Sequence, residues 1–243
     1  MTAPVFLADG ADLGGDVIVL TGPEGRHAAT VRRIRPGERA DVTDGQGLLA
    51  ECVVTAAGGG RVELRVQARR EMPAPQPRIA VVQAIPKGER AELAVETMTE
   101  VGVDVIVPWE AERCVARWPG DRAARALGRW RSAAREAAKQ ARRARVPEVT
   151  TAASAAGVAA RIADAACAVV LEPGATQPLS RLAVPLSGDI VLVVGPEGGI
   201  SPAELTAFTQ AGAVPARLGD SVLRTSTAGA VAVAVLMTAT GRW

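Results

Sequence analysis

Four consecutive apolar residues, Val191-Leu192-Val193-Val194, stop at Gly195-Pro196-Glu197-Gly198-Gly199, and a helix start follows at once. Ser201 stands as N-cap, Pro202 at the first helical position, and Glu204 where a capping box requires an acid. A continuous apolar strand is buried on both faces, which belongs to a parallel sheet covered by helices. A Gly-rich turn from such a strand into a helix N-terminus is how α/β sheets build ligand sites at strand carboxyl ends. The unit then repeats. Ala213 to Leu218 is a short strand, Gly219-Asp220 a turn, and Thr225 or Ser226 caps a last apolar helix from Thr227 to Thr238. Two glycine-marked turns this close in sequence can form two walls of one pocket.

The pocket's chemistry is bounded by what the turns lack. Neither the dinucleotide fingerprint G-x-G-x-x-G nor the phosphate-loop ending Gly-Lys-Ser/Thr is present. No cation lies within Gly195–Gly199, and Glu197 repels a phosphate. The turns therefore favour a neutral or cationic ligand held by backbone groups that glycine lets come close. The plain alternative is an ordinary strand-to-helix turn.

The remaining chain is consistent with two domains. Val17–Leu20, Arg39–Thr43, Leu48–Ala56 and Val62–Gln67 read as strands, punctuated by Asp44–Gly47 and Gly58–Gly60. A short helix closed by Pro36-Gly37 lies between the first two and carries Arg26, His27, Arg32, Arg33 and Arg35. Its arginines suit phosphate contacts or form a solvated face. His27 is a core or capping histidine in the plain reading. Three alternating prolines at Pro73, Pro75 and Pro77 make a stiff extended linker, so the domains are cut as 1–72, 73–77 and 78–243.

Beyond the linker, strands Arg78–Ile85, Val103–Pro108 and Cys167–Leu171 alternate with helices. One of these has Ala91, Ala94, Val95, Met98 and Val101 on its apolar stripe; another covers Gly157–Asp164. The alternation predicts an α/β fold with a parallel, doubly wound sheet. Pro178 to Asp189 reads as a surface connection. Lys87 lies just past a strand's carboxyl end, placed either for a ligand or for a structural salt bridge.

Net charge is only +2 for 243 residues, but the total hides an imbalance. Residues 113–145 hold eleven Lys plus Arg against two Asp plus Glu, a net +9. Asp121 to Arg145 reads as one helix, with Leu127, Trp130, Ala134, Ala138 and Ala141 inward and Arg131, Arg135, Lys139 and Arg142 alongside. Self-repulsion on that scale points to a polyanionic partner. Aromatic residues make up 2% of the chain, which disfavours an RNA surface of stacked aromatic platforms.

Cys52, Cys114 and Cys167 form no C-x-x-C pair, and with the single histidine they make no standard zinc site, so no metal is expected. They read as reduced thiols of a cytoplasmic protein. No signal peptide is visible in the first residues, and Ala228–Ala239 is too short to span a bilayer.

GPEGGIS followed by RLGDSVLRTSTA resembles the signature of the SPOUT class of S-adenosylmethionine-dependent RNA methyltransferases. More closely it is similar to the ribosomal RNA small subunit methyltransferase E family, which makes N3-methyluridine in 16S rRNA. The segments Lys87–Glu112 and Glu136–Glu148 agree with that family, and Val17–Arg70 resembles its small PUA-like β-barrel.

The resemblance implies a deep trefoil knot in the C-terminal domain, a homodimer, and S-adenosylmethionine bent over on itself between three loops. The first loop supplies Leu171, Glu172 and Pro173. The second supplies Val194, Gly195, Pro196, Glu197, Gly198, Gly199 and Ile200. The third supplies Leu218, Gly219, Val222, Leu223, Arg224, Thr225 and then Ala228.

For chemistry at a uracil N3, Arg224 and Arg142 (or Arg143) are candidates for positive charge, and Glu197 (or Glu136) for the proton acceptor. The RNA-binding set implied is Arg26, His27, Arg32, Arg33 and Arg35 with Lys87, Arg135, Lys139, Arg142, Arg143 and Arg145. The partner implied is 16S rRNA, within the small ribosomal subunit. One departure is visible: Ser226 stands where many members have Glu in L-R-T-E-T-A. Rival readings are a non-catalytic ribosome-assembly factor, a nucleotide-cofactor enzyme, and a SPOUT enzyme with another target nucleotide.

Overall fold

The computed structural model describes residues 3–88 and 90–243. The chain divides into two compact units, Met1–Ala74 with Ala138–Val146, and Pro75–Ala137 with Pro147–Trp243. Residues 138–146 thus belong with the first unit, where the sequence reading had given them to the second.

The first unit is a curled five-stranded sheet of β1 (Val5–Leu7), β2 (Val17–Leu20), β3 (Arg39–Thr43), β4 (Leu48–Gly58) and β5 (Arg61–Glu71). Its order is β1-β3-β4-β5-β2. The β4–β5 hairpin turns on Gly59 and Gly60, with φ of 59° and 75°. Two consecutive positive φ angles suit the right-handed twist of the flanking strands and favour glycine. Alternate residues Ala50, Cys52, Val54, Val62 and Leu64 point inward with Phe6, Leu13 and Ile18.

The helix expected from Arg26 starts earlier. An α-helical turn α1 (Gly22–Arg26) has Pro23 in its first positions and runs into a π-type turn over His27–Val31. The local start signal is Pro23, which follows the Thr21 N-cap and has no N–H to leave unpaired.

The second unit holds six parallel strands: β6 (Arg78–Ala84), β7 (Val105–Trp109), β8 (Glu148–Val149), β9 (Cys167–Leu171), β10 (Asp189–Val194) and β11 (Val214–Ala216). Their order is β11-β9-β10-β6-β7-β8. The apolar run of β10 is central and completely enclosed from Ile190 to Val193. One face is covered by α4 (Ala155–Ala163) and α5 (Pro202–Gln210), whose Val158, Ile162 and Phe208 join Val82, Val107, Val170 and Val193 in one core. Phe208 meets Trp109 edge-on, with ring centroids 5.3 Å apart. Helices α2 (Arg90–Glu100) and α6 (Thr225–Ala239) pack on each other, and α6 lies on β6 and β10.

Helix α3 covers Asp121–Gln140 rather than reaching Arg145. Arg142 N donates to Lys139 O and Arg143 N to Ala138 O, a Schellman closure with Arg142 in the left-handed position at φ 56°. Glycine normally fills that position, so no sequence signal marked the stop. Ala141, assigned to the inward stripe, lies past the helix and is exposed.

Candidate active site

Strands β9, β10 and β11 end side by side, and a cleft of about 570 Å³ opens over the loops that follow them. The β9 end contributes Leu171, Glu172 and Pro173. The β10 end contributes Val194, Gly195, Pro196, Glu197, Gly199 and Ile200. Residues from Ala216 to Gly219 and from Ser221 to Thr225 form the third wall, followed by Ser226 and Ala228 of α6. Of the residues named from sequence for the donor pocket, all but Gly198 line this cleft.

Gly198 faces elsewhere. A Cβ there would stand 3.1 Å from the Cβ of Arg113 and 3.2 Å from its carbonyl oxygen. Arg113 Nη1 donates to Gly198 O at 3.3 Å. Arg113 itself lines the cleft, as does Arg90. Sequence reading had found no cation within the Gly195–Gly199 turn. The fold brings two to it from the segments after β6 and β7.

A single buried carboxylate organises this corner. Glu204, 6% exposed, accepts from Ser201 N at 3.0 Å while Ser201 Oγ accepts from Glu204 N at 3.3 Å, completing the capping box. Its other oxygen accepts from Glu112 N at 2.7 Å. The start of α5 and the segment carrying Arg113 are therefore held by the same group, which satisfies backbone donors that burial would otherwise leave unpaired. Gly199, at φ 74°, closes a tight turn through Gly199 N to Pro196 O at 2.9 Å. Glu197 is exposed and accepts from Lys87 N at 3.3 Å, so it reaches toward the end of β6.

The third wall is braced from below. Arg217 exchanges backbone bonds with Gln177 and Leu179, and its guanidinium pairs with Asp220 at 3.2 Å. The 178–189 segment is thus more than a surface connection: it includes a 3-10 turn, Leu179–Arg181, whose Leu179 is 2% exposed. The fully buried Gln83 of β6 donates to Thr225 O at 3.2 Å. Thr225 and Ser226 do not cap α6. Arg224 occupies the N-cap position without a side-chain cap bond, and its carbonyl accepts from Thr227 N and Ala228 N. Both hydroxyl residues lie inside the first turn and are buried.

The expected RNA-binding residues separate into two groups. Arg26, Arg32, Arg33, Arg35, Lys87, Arg135 and Arg142 are exposed, and Arg143 is half-buried. His27 packs edge-on to Phe6 at 6.2 Å, as the plain reading had it. The Lys139 side chain is 8% exposed and pairs with Glu24 at 2.8 Å. Arg145, half-buried, donates to Met72 O at 2.7 Å and to Pro73 O at 3.3 Å. Arg142 belongs to the first unit and is absent from the cleft wall. Among the described residues, no group of three or more His, Cys, Asp or Glu is placed to hold a metal, and no helix is long and apolar enough to cross a membrane.

A parallel α/β domain with a strand-end cleft, joined to a small β-rich unit, defines the class. Residues 73–237 match the family profile described as an RNA methyltransferase domain, and residues 20–67 match the RNA methyltransferase PUA domain. The ribosomal RNA small subunit methyltransferase E of Mycobacterium bovis is 49% identical over 247 aligned residues, covering all of this chain and 94% of the relative. The same protein from Bacillus subtilis is 29% identical over 86% of this chain and 85% of the relative.

Among solved structures, a putative methyltransferase from Legionella pneumophila in complex with bound S-adenosylmethionine superposes with a TM-score of 0.87 at 27% identity, covering 98% of each chain. The small subunit methyltransferase E of Neisseria gonorrhoeae, bound to S-adenosyl methionine, gives 0.85 at 28% identity, again over 98% of each. This chain belongs to the ribosomal RNA small subunit methyltransferase E family.

Proposed function

We propose that the protein transfers a methyl group from S-adenosylmethionine to N3 of a specific uridine in 16S rRNA of the small ribosomal subunit. The observation that carries this reading is the convergence of three loops, distant in sequence, on one cleft in a chain of this family. The cleft fits the donor. Its wall mixes aliphatic and proline surface (Leu171, Val194, Pro196, Ile200, Leu218, Leu223) with polar groups, and its volume lies in the range of small-molecule sites. At Gly199 and Gly219 no other atom lies within 4 Å of where a Cβ would stand, so backbone groups there are open to a ligand.

When bound, S-adenosylmethionine supplies an electrophilic methyl group on a sulfonium. The chain's residues do the rest. The three loops hold and orient the donor, which converts a bimolecular encounter into a local one. Glu197, exposed at the cleft, accepts the N3 proton, and Arg224 at the start of α6 places positive charge beside the reacting base. Because N3 lies on the Watson–Crick edge, the uridine enters unpaired or flipped out. Exposed Arg26, Arg32, Arg33, Arg35, Arg135 and Arg142 contact RNA phosphates. A homodimer and a knot around α6 complete the reading. Val231, an apolar residue 38% exposed on α6, supports the first, and the return of α6 from the β11 edge to β6 and β10 supports the second.

The test is incubation with isotope-labelled S-adenosylmethionine and small subunits from a strain lacking the gene, followed by mass spectrometry of the nucleosides. Labelled N3-methyluridine is the expected product. A different methylated nucleoside would move the target. No label, together with no donor binding by calorimetry, would leave an RNA-binding assembly factor.

A further inference from the structure

The cleft has two chemically different ends. Over β11, β9 and β10 its wall combines glycine, proline and aliphatic side chains with Glu172, Glu197, Ser221, Thr225 and Ser226, and its cations are Arg217, already paired with Asp220, and the exposed Arg224 at the start of α6. Toward β6 and β7 it is cationic, through Arg90 and Arg113. S-adenosylmethionine carries a sulfonium and an ammonium against a single carboxylate, so its reacting end is repelled by arginines, and the pair at the second end suits the carbonyl oxygens of an acceptor. We propose that Arg113, assisted by Arg90, forms the acceptor end of the cleft and hydrogen-bonds the carbonyl oxygens that flank N3 of the target uracil. This rests on the methyl-transfer reading above.

Arg113 is pre-positioned: Glu204 holds the preceding residue's backbone, and Nη1 is fixed on Gly198 O. A guanidinium has five N–H donors, and among the described residues this bond is the one recorded for the Arg113 side chain, leaving most of its fork for a ligand. Gly198 is small because the arginine's backbone and Cβ stand against it, so this residue of the turn serves the acceptor end rather than the donor. Arg90 begins α2, where the helix dipole disfavours a cation. Its position there is not explained by helix stability. Glu197 joins the same end through its bond to Lys87 N.

The chemistry balances. The N3–H bond breaks and its proton passes to the Glu197 carboxylate. The electron pair left on N3, delocalised onto the two carbonyl oxygens, forms the new N–C bond to the methyl group. The S–CH3 bond breaks with its electrons returning to sulfur, leaving a neutral thioether. Arg113 acts on the middle of this sequence, by stabilising charge on the carbonyl oxygens in a site where such donors are worth most.

The experiment compares wild type, R113A, R113K and R90A on rRNA containing uridine or the more acidic 5-fluorouridine. S-adenosylmethionine affinity is measured by calorimetry on the same proteins. For R113A the expected result is a loss in kcat on the order of 10²-fold. Its rising pH limb should move up by about one unit or more, with donor Kd within about twofold of wild type. 5-Fluorouridine should recover much of the loss, because less stabilisation is needed once N3 is more acidic. R113K keeps the charge without the fork and should fall between.

Donor affinity lost in step with kcat in both R113A and R113K would place Arg113 in the donor wall and overturn the proposal. An R113A deficit identical on both RNAs would overturn it as well. A wild-type enzyme that makes no N3-methyluridine would fail at an earlier point and remove the methyl-transfer reading itself.

Discussion

Replacing Gly195 by alanine tests whether the floor of the cleft is packed as described. A Cβ at that position would stand 2.7 Å from Cγ1 and 3.3 Å from Cδ1 of Ile200, and 3.5 Å from its backbone nitrogen. Ordinary carbon contacts lie near 3.5–4.0 Å, so the isoleucine must retreat by roughly 0.8 Å or more. It has little room: Ile200 is 8% exposed, belongs to the core beneath α4 and α5, and follows a turn closed by Gly199 N to Pro196 O. Overpacking of this kind costs about 1–3 kcal/mol. At about 2–4 °C per kcal/mol for a chain of this size, the unfolding midpoint should fall by roughly 2–12 °C.

Ile200 also lines the cleft, so affinity for S-adenosylmethionine should fall with it. The assay is a double-mutant cycle of thermal unfolding and calorimetric titration over wild type, G195A, I200A and G195A/I200A. Removing Cγ1 removes the clash, so the double variant should be little worse than I200A alone. Strict additivity of the two single effects, or a G195A protein indistinguishable from wild type, would refute the packing argument.

Breaking the buried pair between Arg242 and Asp104 (2.6 and 3.0 Å, side chains 14% and 8% exposed) should be more damaging. R242A is expected to lose about 3–5 kcal/mol, read by denaturant unfolding, because Asp104 keeps a charge that water cannot reach. Asp41 predicts the opposite sign: burial raises its pKa and its Oδ1 has no partner, so ionisation on folding is unfavourable. Its cost to stability grows as pH rises above the unfolded value of 3.8; D41N should therefore be more stable than wild type at neutral pH, and the difference should vanish in acid unfolding series near pH 3. R142G should relieve the left-handed strain at the end of α3, raising the unfolding midpoint slightly, while RNA methylation falls if Arg142 contacts RNA.

Much of the fold is written locally. The β10 run, the capping box at Ser201 and Glu204, and the β4–β5 hairpin are each specified by residues within a few positions of one another, and each lies where its pattern predicts. Other features are not local. Helix α3 ends on an arginine in a glycine's conformation, Lys139 is enclosed against Glu24, and Arg145 bonds the Met72 and Pro73 carbonyls, all of these partners far away in sequence. A side chain's solvent exposure is a property of its neighbours, and no window of sequence contains those.

The candidate site divides in the same way. The sequence by itself determined the three turns, their glycines and the apolar strands that precede them, because strand periodicity and turn chemistry are short-range. Only the tertiary structure decided that these turns share one cleft, that Gly198 faces Arg113 instead of that cleft, and that Arg90 and Arg113 supply cations which the Gly195–Gly199 turn lacks. The physical reason is the order of the sheet: β10 lies between β9 and β6 with β7 one strand beyond, so residues about a hundred positions apart meet at neighbouring strand ends.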